Sequence, residues 1–413
     1  MTRKRVLIAA GAVAAIVAIA VVSVGTWLVL RKPTLGGLET PTGVHIKTVD
    51  TAPPSAKKIP AAEHAGPCWN AFGGGPLRAL ARPAIHLGVP GHSVWARGLG
   101  DLMEYPPTYC DGRLYVNLER GKTLAIDAAT GKVLWSRPAP GKTASSPAIA
   151  GDRLIVSSHG GTVTALRRDN GSLIWQLRTV VPVESSPVVV DGVVFVGASD
   201  GRLFALDVVT GKVKWVYNLG GRISSSPSVV GPRVCITTYS GAVGCFDKRT
   251  GERVWLRYFK RDPFQYSSFY ASPASDGQRV FTVSLDGRVL ALDAATGNTV
   301  WERDTGGFTY GTPSVADGRV FVADLDRNVR AFRASDGTTL WSKPANGRVL
   351  GPTLVVGNLL YYSTLDGWTY ALGVQDGALR WRFHAGKYAP GIATSNRYYF
   401  SLNGLLVAFK GSA

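Results

Sequence analysis

The chain is poor in the residues that build metal and nucleophile chemistry. Its 413 residues include only six histidines and four cysteines; the histidines are scattered, and the cysteines lack metal-ligand spacing. No glycine-rich phosphate loop stands between a strand and a helix, and no G-x-S-x-G motif is present. These absences argue against a zinc centre, a phosphate-loop nucleotide site and a nucleophile-elbow hydrolase. No catalytic or metal-binding residue is therefore assigned.

Glycine, in contrast, is abundant, and it marks an internal repeat. Glycine and tryptophan recur four residues apart, and successive tryptophans stand 40 residues apart except for one step of 46 between Trp255 and Trp301. The pairs are Gly91/Trp95, Gly131/Trp135, Gly171/Trp175, Gly211/Trp215, Gly251/Trp255, Gly297/Trp301, Gly337/Trp341 and Gly377/Trp381. Eight copies at one period predict a repeat architecture.

One repeat, Ser185 to Trp215, contains four short β patterns. Asp191-Gly192 separates the first two, Ser199-Asp200-Gly201 the next two, and Thr210-Gly211 precedes the last. Four antiparallel strands in about 40 residues are the size of one β-propeller blade. A large flat ring buries most area across the joint between adjacent blades, so we expect each tryptophan to lie there.

The motif Ala-x-Asp-x-x-Thr-Gly-Lys-x-x-Trp resembles the repeat of the pyrroloquinoline-quinone-type (PQQ-type) β-propellers. Ala125–Trp135 and Ala205–Trp215 match it fully, and the other copies lose one or more positions. Trp69-x-x-Phe72-Gly-Gly-x-Pro76 also looks like the lead-in segment of such chains. The resemblance covers roughly residues 69–413 and implies an all-β, eight-bladed propeller.

The resemblance leaves the activity open, because the family includes quinoprotein dehydrogenases, outer-membrane-assembly scaffolds and sensor domains. Catalytic members hold calcium and the quinone with acidic and amide side chains, and many carry an adjacent cysteine pair. This chain has no Cys-Cys, and its aspartates stand mostly in turns such as Asp200-Gly201. Eight minimal blades also leave few long loops to build a pocket. We expect the non-catalytic branch, resembling the assembly scaffolds, with no cofactor.

The amino terminus predicts a membrane anchor. Residues 1–5 are basic, Val6 to Leu30 carries no charge, and Arg31-Lys32 follows. About 20 apolar residues span a bilayer, whereas the apolar region of a signal peptide has about 7–15. No convincing cleavage site follows the run, and the first cysteine, Cys68, leaves no lipobox. We expect a cytoplasmic tip (1–5), an uncleaved signal anchor (6–30) and an extracytoplasmic remainder; a cleaved signal peptide is the alternative.

Residues 31–68 are predicted to be an extracytoplasmic linker, because proline, threonine and alanine are common there and no strand pattern appears. The chain carries a net charge of +18. Outside the cytoplasm, and without a stacking-platform motif or a basic helix, this charge favours anionic lipid headgroups or wall polymers over nucleic acid as partners. An ordinary basic surface is the alternative.

The repeats do not begin with a whole blade. Before Trp95 only one strand pattern is present, whereas the carboxyl end supplies three strands and then stops. We expect the two ends to pair in one blade, which closes a ring of eight blades and leaves no exposed edge. A chain that lacks residues 1–83 should then still fold, and one that lacks 1–98 should not.

The four cysteines are expected to form two disulfides in an oxidising compartment. Cys235 and Cys245 flank the Tyr239-Ser240-Gly241 turn symmetrically and would face each other across a hairpin. Cys68 and Cys110 bracket the lead-in strand. The predicted pairs are Cys235–Cys245 and Cys68–Cys110.

Residues just before the inner-strand prolines are candidates for a ligand-binding ring. In a propeller the loop that enters each inner strand lies on the same face as the hairpin between the second and third strands, and this face frames the central channel. A mixed basic and aromatic ring there suits an anionic or peptide ligand, with ordinary loop residues as the alternative. The candidates are Glu104, Tyr105, Lys142, Glu184, Arg222, Tyr270, Phe308, Tyr310, Arg348, Lys387 and Tyr388.

The step of 46 residues places six extra residues in the segment Leu256–Tyr270. This segment is rich in aromatic residues, which together with arginine are enriched at protein–protein hot spots. We predict that it binds a partner, with Phe264 and Tyr266 most exposed; the alternative is a loop that folds back on the channel mouth. Its aromatic residues are Tyr258, Phe259, Phe264, Tyr266, Phe269 and Tyr270.

Three functions remain open from the sequence. The favoured one is a membrane-anchored extracytoplasmic propeller that binds or scaffolds other envelope proteins. A ligand sensor or wall-polymer-binding module is the second, and a quinone-dependent dehydrogenase is the third. The absence of a lipobox argues against a Gram-negative outer-membrane lipoprotein, despite the shared repeat.

Overall fold

The computed structural model of the protein describes residues 37–39, 45–48, 68–262, 265–402 and 404–412. The predicted basic tip (1–5) and membrane anchor (6–30) lie outside these residues, as does most of the linker. No helix in the described part of the chain is long and apolar enough to cross a membrane.

Eight four-stranded antiparallel sheets form the blades of a propeller, which confirms the predicted all-β, eight-bladed fold. In blades 1 to 7 the chain runs from an inner strand at the central channel to an outer strand at the periphery, and the inner strands of these blades contact their neighbours in turn. The inner, second, third and outer strands are given below in that order.

Blade 1 contains Thr108–Cys110, Arg113–Leu118, Lys122–Asp127 and Val133–Pro138, and blade 2 contains Ala148–Ala150, Arg153–Ser158, Thr162–Arg167 and Leu173–Arg178. Blade 3 contains Val188–Val190, Val193–Gly197, Arg202–Asp207 and Val213–Asn218, and blade 4 contains Ser228–Val230, Arg233–Thr237, Ala242–Asp247 and Arg253–Tyr258. Blade 5 contains Ala274–Ser275, Arg279–Val283, Arg288–Asp293 and Thr299–Asp304, and blade 6 contains Ser314–Ala316, Arg319–Ala323, Asn328–Arg333 and Thr339–Pro344. Blade 7 contains Leu354–Val356, Leu359–Ser363, Thr369–Gly373 and Leu379–Phe383, and blade 8 contains Ile392–Ala393, Arg397–Leu402, Leu405–Gly411 and Pro90–Gly98.

Blade 8 closes the ring with both ends of the propeller. Its outer strand, Pro90–Gly98, pairs antiparallel with Leu405–Gly411, and Trp95 lies opposite Ala408. The closure inferred from the position of Trp95 is therefore present in the structure. It covers two strand edges that would otherwise be open to pairing with other chains.

The repeated tryptophans lie at the joints between blades, as Trp175 illustrates. Trp175, on the outer strand of blade 2, is fully buried, and its indole N–H donates to the carbonyl of Val208 in blade 3 at 3.0 Å. Its ring lies directly against Gly211, whose backbone has a φ of +71°. A β-carbon at Gly211 would come within 2.6 Å of the ring, so the G-x-x-x-W pattern joins each turn glycine to the tryptophan of the blade before it.

Seven of the eight tryptophans share this arrangement. Each donates its indole N–H to a carbonyl of the following blade, at 2.8 to 3.2 Å. The seven are Trp95, Trp135, Trp175, Trp215, Trp255, Trp301 and Trp341.

Trp341 departs from the pattern in its contact with the turn glycine. It lies between blades 6 and 7 and donates to the carbonyl of Val374 at 3.0 Å, as expected. However, a β-carbon at Gly377 would lie 2.8 Å from both Cε3 of Trp341 and Cγ of Lys343, so the ring shares this approach with an aliphatic side chain. Trp341 lies at the joint as predicted, and the stem of a lysine on the same strand reaches the glycine as well.

Trp381 departs further. It is only half-buried and packs on Phe383 of its own strand and on Phe400 and Phe409 of blade 8. The third and outer strands of blade 8 come from the two ends of the propeller, so no Thr-Gly turn joins them and the ring has no turn glycine to cover. Aromatic side chains take the place of the turn at this joint.

The lead-in segment, residues 68–82, crosses the channel and contacts every blade. It contains a turn of 3-10 helix at Phe72–Gly74 and a short strand, Ala81–Arg82, which adds in parallel to the inner strand of blade 7. Its backbone hydrogen-bonds to the inner strands of blades 1, 2, 4, 5, 6 and 7. The side chains of Arg78 and Trp69 reach blades 3 and 8. These contacts argue against the expectation that a chain lacking residues 1–83 still folds, because the segment occupies the channel and bonds to every blade.

Two short strands lie within the predicted linker. Leu38–Glu39 pairs with the outer strand of blade 3, and His45–Thr48 pairs with the outer strand of blade 2, both antiparallel. The Asn218 side-chain amide donates to Glu39 Oε1 at 2.7 Å. The linker is therefore not a free tether over these residues. The unpaired edge of an outer strand offers backbone donors and acceptors to any extended segment nearby, whatever its composition.

Both expected disulfides are present. Cys235 and Cys245 face each other on the second and third strands of blade 4, with Cα atoms 4.1 Å apart. Cys68 and Cys110 join the lead-in segment to the inner strand of blade 1, with Cα atoms 4.5 Å apart. The second disulfide fixes the lead-in segment where it enters the channel.

Candidate functional site

The loops that enter the inner strands and the hairpins between second and third strands meet on one face, called here the mouth face. Backbone hydrogen bonds join the two sets of loops: the N–H of Tyr239 donates to Arg222, that of Leu325 to Phe308, and that of Leu365 to Arg348, each at 2.9 Å. The face predicted to frame the channel is thus built as expected. Because the repeat fixes these loops, their side chains converge around one opening.

A cavity of about 230 Å³ opens on this face at the channel axis, called here the mouth cavity. Five aromatic rings and one carboxylate line it: Phe72, Glu104, Tyr105, Tyr270, Tyr310 and Tyr388. Phe72 and Tyr105 meet edge to face with centroids 5.6 Å apart, and Tyr270 and Tyr310 do so at 5.7 Å. The hydroxyls of Tyr105 and Tyr270 lie 3.5 Å apart across the opening. Steeply angled rings of this kind form walls rather than a stack.

Arg78 supports the floor of the mouth cavity from below. Its guanidinium is fully buried and donates to the carbonyls of Phe72 at 2.9 Å and Ser186 at 2.7 Å, and also to that of Pro227. The guanidinium carbon lies 5.6 Å from the centre of the Phe72 ring. Burial lowers the pKa of Arg78 to about 9. The N–H groups of Arg78 are thus bonded to backbone carbonyls, and these bonds link Phe72 to the loops that enter blades 3 and 4.

A belt of hydroxyls runs around part of the channel, one residue before each inner-strand proline. The backbone N–H of each serine in the belt donates to the hydroxyl of the next blade's member, at 2.9 to 3.1 Å. The members are Ser146, Ser186, Ser226, Ser272 and Thr312. The equivalent positions in blades 7, 8 and 1 are Gly351, Ala389 and Pro106, which have no hydroxyl, and all three line the mouth cavity. The cavity therefore includes the interruption of the belt, and two belt members, Ser272 and Thr312, line it as well.

Three carboxylates lie near one side of the mouth cavity. Glu184 pairs with Arg222 at 2.6 Å, and Glu119 pairs with Lys142 at 3.4 Å. Glu104, which lines the cavity, has no ion pair among the described residues. Burial raises the pKa of Glu104, and the nearby carboxylates of Glu119 and Glu184 raise it further. Burial likewise raises the pKa of Tyr105 well above its ordinary value.

The predicted ring divides into cavity residues and rim residues. Glu104, Tyr105, Tyr270, Tyr310 and Tyr388 line the mouth cavity. Lys387 lies over the Tyr388 ring at 5.3 Å, and Glu184 is held by Arg222. The exposed remainder, called here the mouth rim, is Lys142, Arg222, Phe308 and Arg348. The structure thus brings the four tyrosines together and leaves all four basic members outside the cavity, so an anionic ligand in the cavity is not supported.

The aromatic segment 256–270 largely folds back on the propeller. Phe269 is fully buried and packs against Phe259, with ring centroids 6.0 Å apart. Tyr266 is half-buried, meets Tyr258 edge to face at 5.9 Å and carries Lys260 over its ring. Tyr266 is therefore not the exposed tip that was predicted, because its ring has partners within the segment, and Phe264 lies outside the described residues. What projects is a small hairpin of Lys260–Asp262 with Gln265–Tyr266.

A second cavity of about 540 Å³ lies on the opposite side of the lead-in segment. Its lining includes Gly73–Gly75, Arg82, Asp191 and Lys248. The Arg82 guanidinium donates to the carbonyls of Cys68 and Gly74 and lies over the Trp69 ring at 4.5 Å. Lys248 pairs with Asp191 at 2.7 Å. The charged groups of this cavity are therefore largely committed to partners within the protein.

The mouth cavity does not fit the quinone and calcium of catalytic PQQ-type propellers. Those sites hold the two groups with several acidic and amide side chains, whereas Glu104 is the one carboxylate in this lining, and no amide side chain joins it. The quinone cofactor is itself a polycarboxylate, and an unpaired acid in the wall disfavours it electrostatically. Elsewhere in the described residues, the cluster Cys68, Cys110 and Asp111 brings possible metal ligands together, but its two sulfurs are joined in a disulfide.

Sequence reasoning missed Phe72 and Arg78 as parts of the site. Phe72 belongs to the lead-in motif, but nothing in the motif places it under the mouth face. The interruption of the hydroxyl belt was visible: Ser-Pro or Thr-Pro opens five inner strands, and Gly351-Pro352 and Ala389-Pro390 depart from it. That departure would have pointed to the side of the channel where the cavity opens.

Residues 89–262 and 260–389 match the family model described as outer membrane protein assembly factor BamB. A comparison with curated protein sequences finds no match. Among solved structures, BamB from Moraxella catarrhalis is similar at a TM-score of 0.66 and 19% identity, over 78% of this chain and 100% of that one.

Two enzymes are also similar in structure. Quinohemoprotein alcohol dehydrogenase from Comamonas testosteroni has a TM-score of 0.71 at 15% identity, over 84% of this chain and 81% of that one. A europium-containing methanol dehydrogenase has a TM-score of 0.70 at 14% identity, over 82% and 88%. At these identities the likeness establishes the propeller fold and does not extend to activity.

Proposed function

Because the chain belongs to the family described as outer membrane protein assembly factor BamB, we propose that it is a protein-binding scaffold of the cell envelope. Its propeller presents the mouth face to partner proteins, and it has no enzymatic activity of its own. Residues 6–30 anchor it in the membrane and leave the propeller outside the cytoplasm. A family model that spans most of the propeller supports the scaffold role.

The observation that carries the proposal is the composition of the mouth rim. Phe308 is 56% exposed, more than any other phenylalanine or tryptophan in the described part of the chain. Arg222 and Arg348, also exposed, come from the corresponding loops of blades 4 and 7. An exposed aromatic ring among arginines on a rigid scaffold is typical of a protein–protein interface. The hairpin Lys260–Asp262 adds further exposed charge on the same face.

The donor set of the mouth cavity supports a non-enzymatic role. It lacks the group of acidic and amide side chains with which catalytic relatives hold calcium and the quinone. The lead-in segment also occupies the channel from below and contacts every blade, which leaves a shallow cavity rather than a deep pocket.

Anchoring and location rest on the sequence alone. Val6 to Leu30 is uncharged and long enough for one transmembrane helix. More basic residues precede it than follow it, which favours an extracytoplasmic propeller. Two disulfides suit that compartment.

Site-specific photocrosslinking in membranes of the native host tests the scaffold proposal. A photoreactive benzoylphenylalanine at position 308 should capture envelope proteins, identified by mass spectrometry. The matched control places the same residue at Val300, which is exposed on the outer strand of blade 5, away from the mouth. Capture from position 308 and not from position 300 is the expected result.

A substitution measures the contribution of the mouth rim to binding. Phe308→Ser combined with Arg348→Ser should weaken capture of the identified partner about tenfold, or about 1.4 kcal/mol, without changing the melting temperature. Val300→Ser should leave capture unchanged. Equal capture from positions 308 and 300, or full binding by the double variant, would contradict the mouth rim as the interface.

A further inference from the structure

We propose that the mouth cavity is a binding site for an organic ammonium cation. The cation can be a free methylated amine or the methylated side chain of a lysine, since both present a bulky, weakly hydrated ammonium group. The proposal does not rest on the scaffold function, because it is argued from the lining of the mouth cavity and not from the mouth rim.

The walls of the mouth cavity are those of an aromatic cage. Phe72, Tyr105, Tyr270, Tyr310 and Tyr388 all face one volume of about 230 Å³. A cation over the face of an aromatic ring is attracted by the ring quadrupole, and several rings around one volume add their attractions. The rings are also held in place, since Phe72 packs on Tyr105, and Tyr270 packs on both Tyr239 and Tyr310. A preformed cage loses little side-chain entropy when a ligand binds.

The charge of the mouth cavity selects a cation. Glu104 is the charged side chain of its lining, and it has no ion pair within the described part of the chain. The basic side chains around these acids and rings are already engaged: Arg222 with Glu184, Lys142 with Glu119, Lys387 with the Tyr388 ring, and Arg78 with backbone carbonyls. Burial, and then the neighbouring carboxylates of Glu119 and Glu184, raise the pKa of Glu104. A bound ammonium group would supply the missing positive charge.

Other ligand classes fit less well. An anion would meet Glu104 without a cation in the lining to balance it. A neutral apolar molecule would leave the carboxylate desolvated and still unpaired, which is costly. A compact inorganic cation would require several oxygen ligands in place of the five aromatic rings. The combination of rings and one carboxylate therefore specifies a bulky, weakly hydrated cation.

Binding of choline and of its neutral isostere, 3,3-dimethylbutan-1-ol, to the full chain tests the proposal. The two molecules share one shape and differ in charge, so isothermal titration calorimetry separates the cation–π and Coulomb terms from simple burial. Choline should bind, and the isostere should bind at least tenfold more weakly. Nα-acetyl-Nε-trimethyl-lysine methylamide distinguishes the sources: its binding as tightly as choline indicates a methylated lysine side chain, and binding of choline alone indicates a free amine.

Variants place the cation in the mouth cavity. Glu104→Gln removes the charge and Tyr310→Leu removes one ring; each should weaken choline binding about tenfold or more. Tyr310→Phe keeps the ring and should bind like the unmodified chain. Glu252→Gln, an exposed acid on the opposite face, is the matched control and should change nothing. Near-ultraviolet circular dichroism checks that each variant is folded. The proposal is overturned if no ammonium compound binds, if the isostere equals choline, or if folded Glu104→Gln binds choline normally.

Discussion

Gly211→Ala should strongly destabilise the joint between blades 2 and 3. Two effects contribute, the backbone conformation of Gly211 and the close approach of the Trp175 ring. The backbone at Gly211 has a φ of +71°, a left-handed conformation that costs other residues about 1–2 kcal/mol. In addition, the new methyl group would lie 2.6 Å from Cδ2 and 2.7 Å from Cε3 of Trp175, well inside the usual contact of about 3.5–4.0 Å. Overpacking of this kind costs roughly 1–3 kcal/mol, so the total should be about 2–5 kcal/mol.

Gly192→Ala is the matched control for the joint. Gly192 has nearly the same φ, +75°, but no atom lies within 4 Å of the position that its β-carbon would take. Its substitution should therefore cost the backbone term alone, about 1–2 kcal/mol. Urea unfolding of the two variants, followed by tryptophan fluorescence, measures the difference between them. Equal losses for Gly211→Ala and Gly192→Ala would refute the argument that the ring limits the joint.

A double-mutant cycle identifies Trp175 as the source of the extra cost. In a Trp175→Leu background the close approach to the ring is gone, so adding Gly211→Ala should cost no more than Gly192→Ala does. An undiminished penalty in that background would mean that some other neighbour of Gly211 is responsible.

Two further predictions concern the lead-in segment and Glu104. Deleting residues 1–67 should change the melting temperature little, whereas deleting 1–83 should lower it sharply, because Trp69 alone is worth roughly 3–5 kcal/mol; equal melting temperatures would contradict a structural role for residues 68–82. Glu104→Gln should be more stable than the unmodified chain at pH 7. Burial first, then Glu119 and Glu184, raises the pKa of Glu104 in the folded state, so its ionisation lowers the free energy of unfolding as the pH rises above the ordinary value for glutamate. The advantage should vanish below that pH, and thermal melts at pH 4 and pH 7 check the sign.

The number of blades and the closure of the ring were predictable because the signals are local and repeated. Each Gly-x-x-x-Trp copy marks one outer strand, and the isolated copy at Trp95 marks the strand that completes blade 8. The register of Cys235 opposite Cys245 likewise followed from a symmetric hairpin. Where residues close together in the sequence determine a contact, that contact can be predicted from the sequence alone.

Contacts made once, over long sequence separations, were not predictable. Arg78 donates to the carbonyls of Ser186 and Pro227, more than a hundred residues away. The repeat pattern does not predict that this arginine is buried. The two strands within residues 38–48 pair through backbone groups, which composition does not reveal. In the segment 256–270, aromatic content was read as exposure, but Phe269 turns inward. Composition gives the residue types of a loop and not the side on which each ring lies.

The candidate site follows from departures from the repeat rather than from the repeat itself. Eight equivalent loops would give a symmetric channel lined by hydroxyls, as blades 2 to 6 do. The mouth cavity includes Gly351, Ala389 and Pro106, which interrupt that belt, and Phe72 from the non-repeating lead-in segment, although Ser272 and Thr312 of the belt line it too. Glu104 lies beside this interruption and has no ion pair in the described structure. The mouth cavity and its one carboxylate are therefore both on the side of the channel where the repeat is irregular. Blades 2 to 6 of this propeller are linked to one another by the same hydrogen bond. A blade that lacks this hydrogen bond departs from the stabilising pattern, and its residues are therefore candidates for ligand binding.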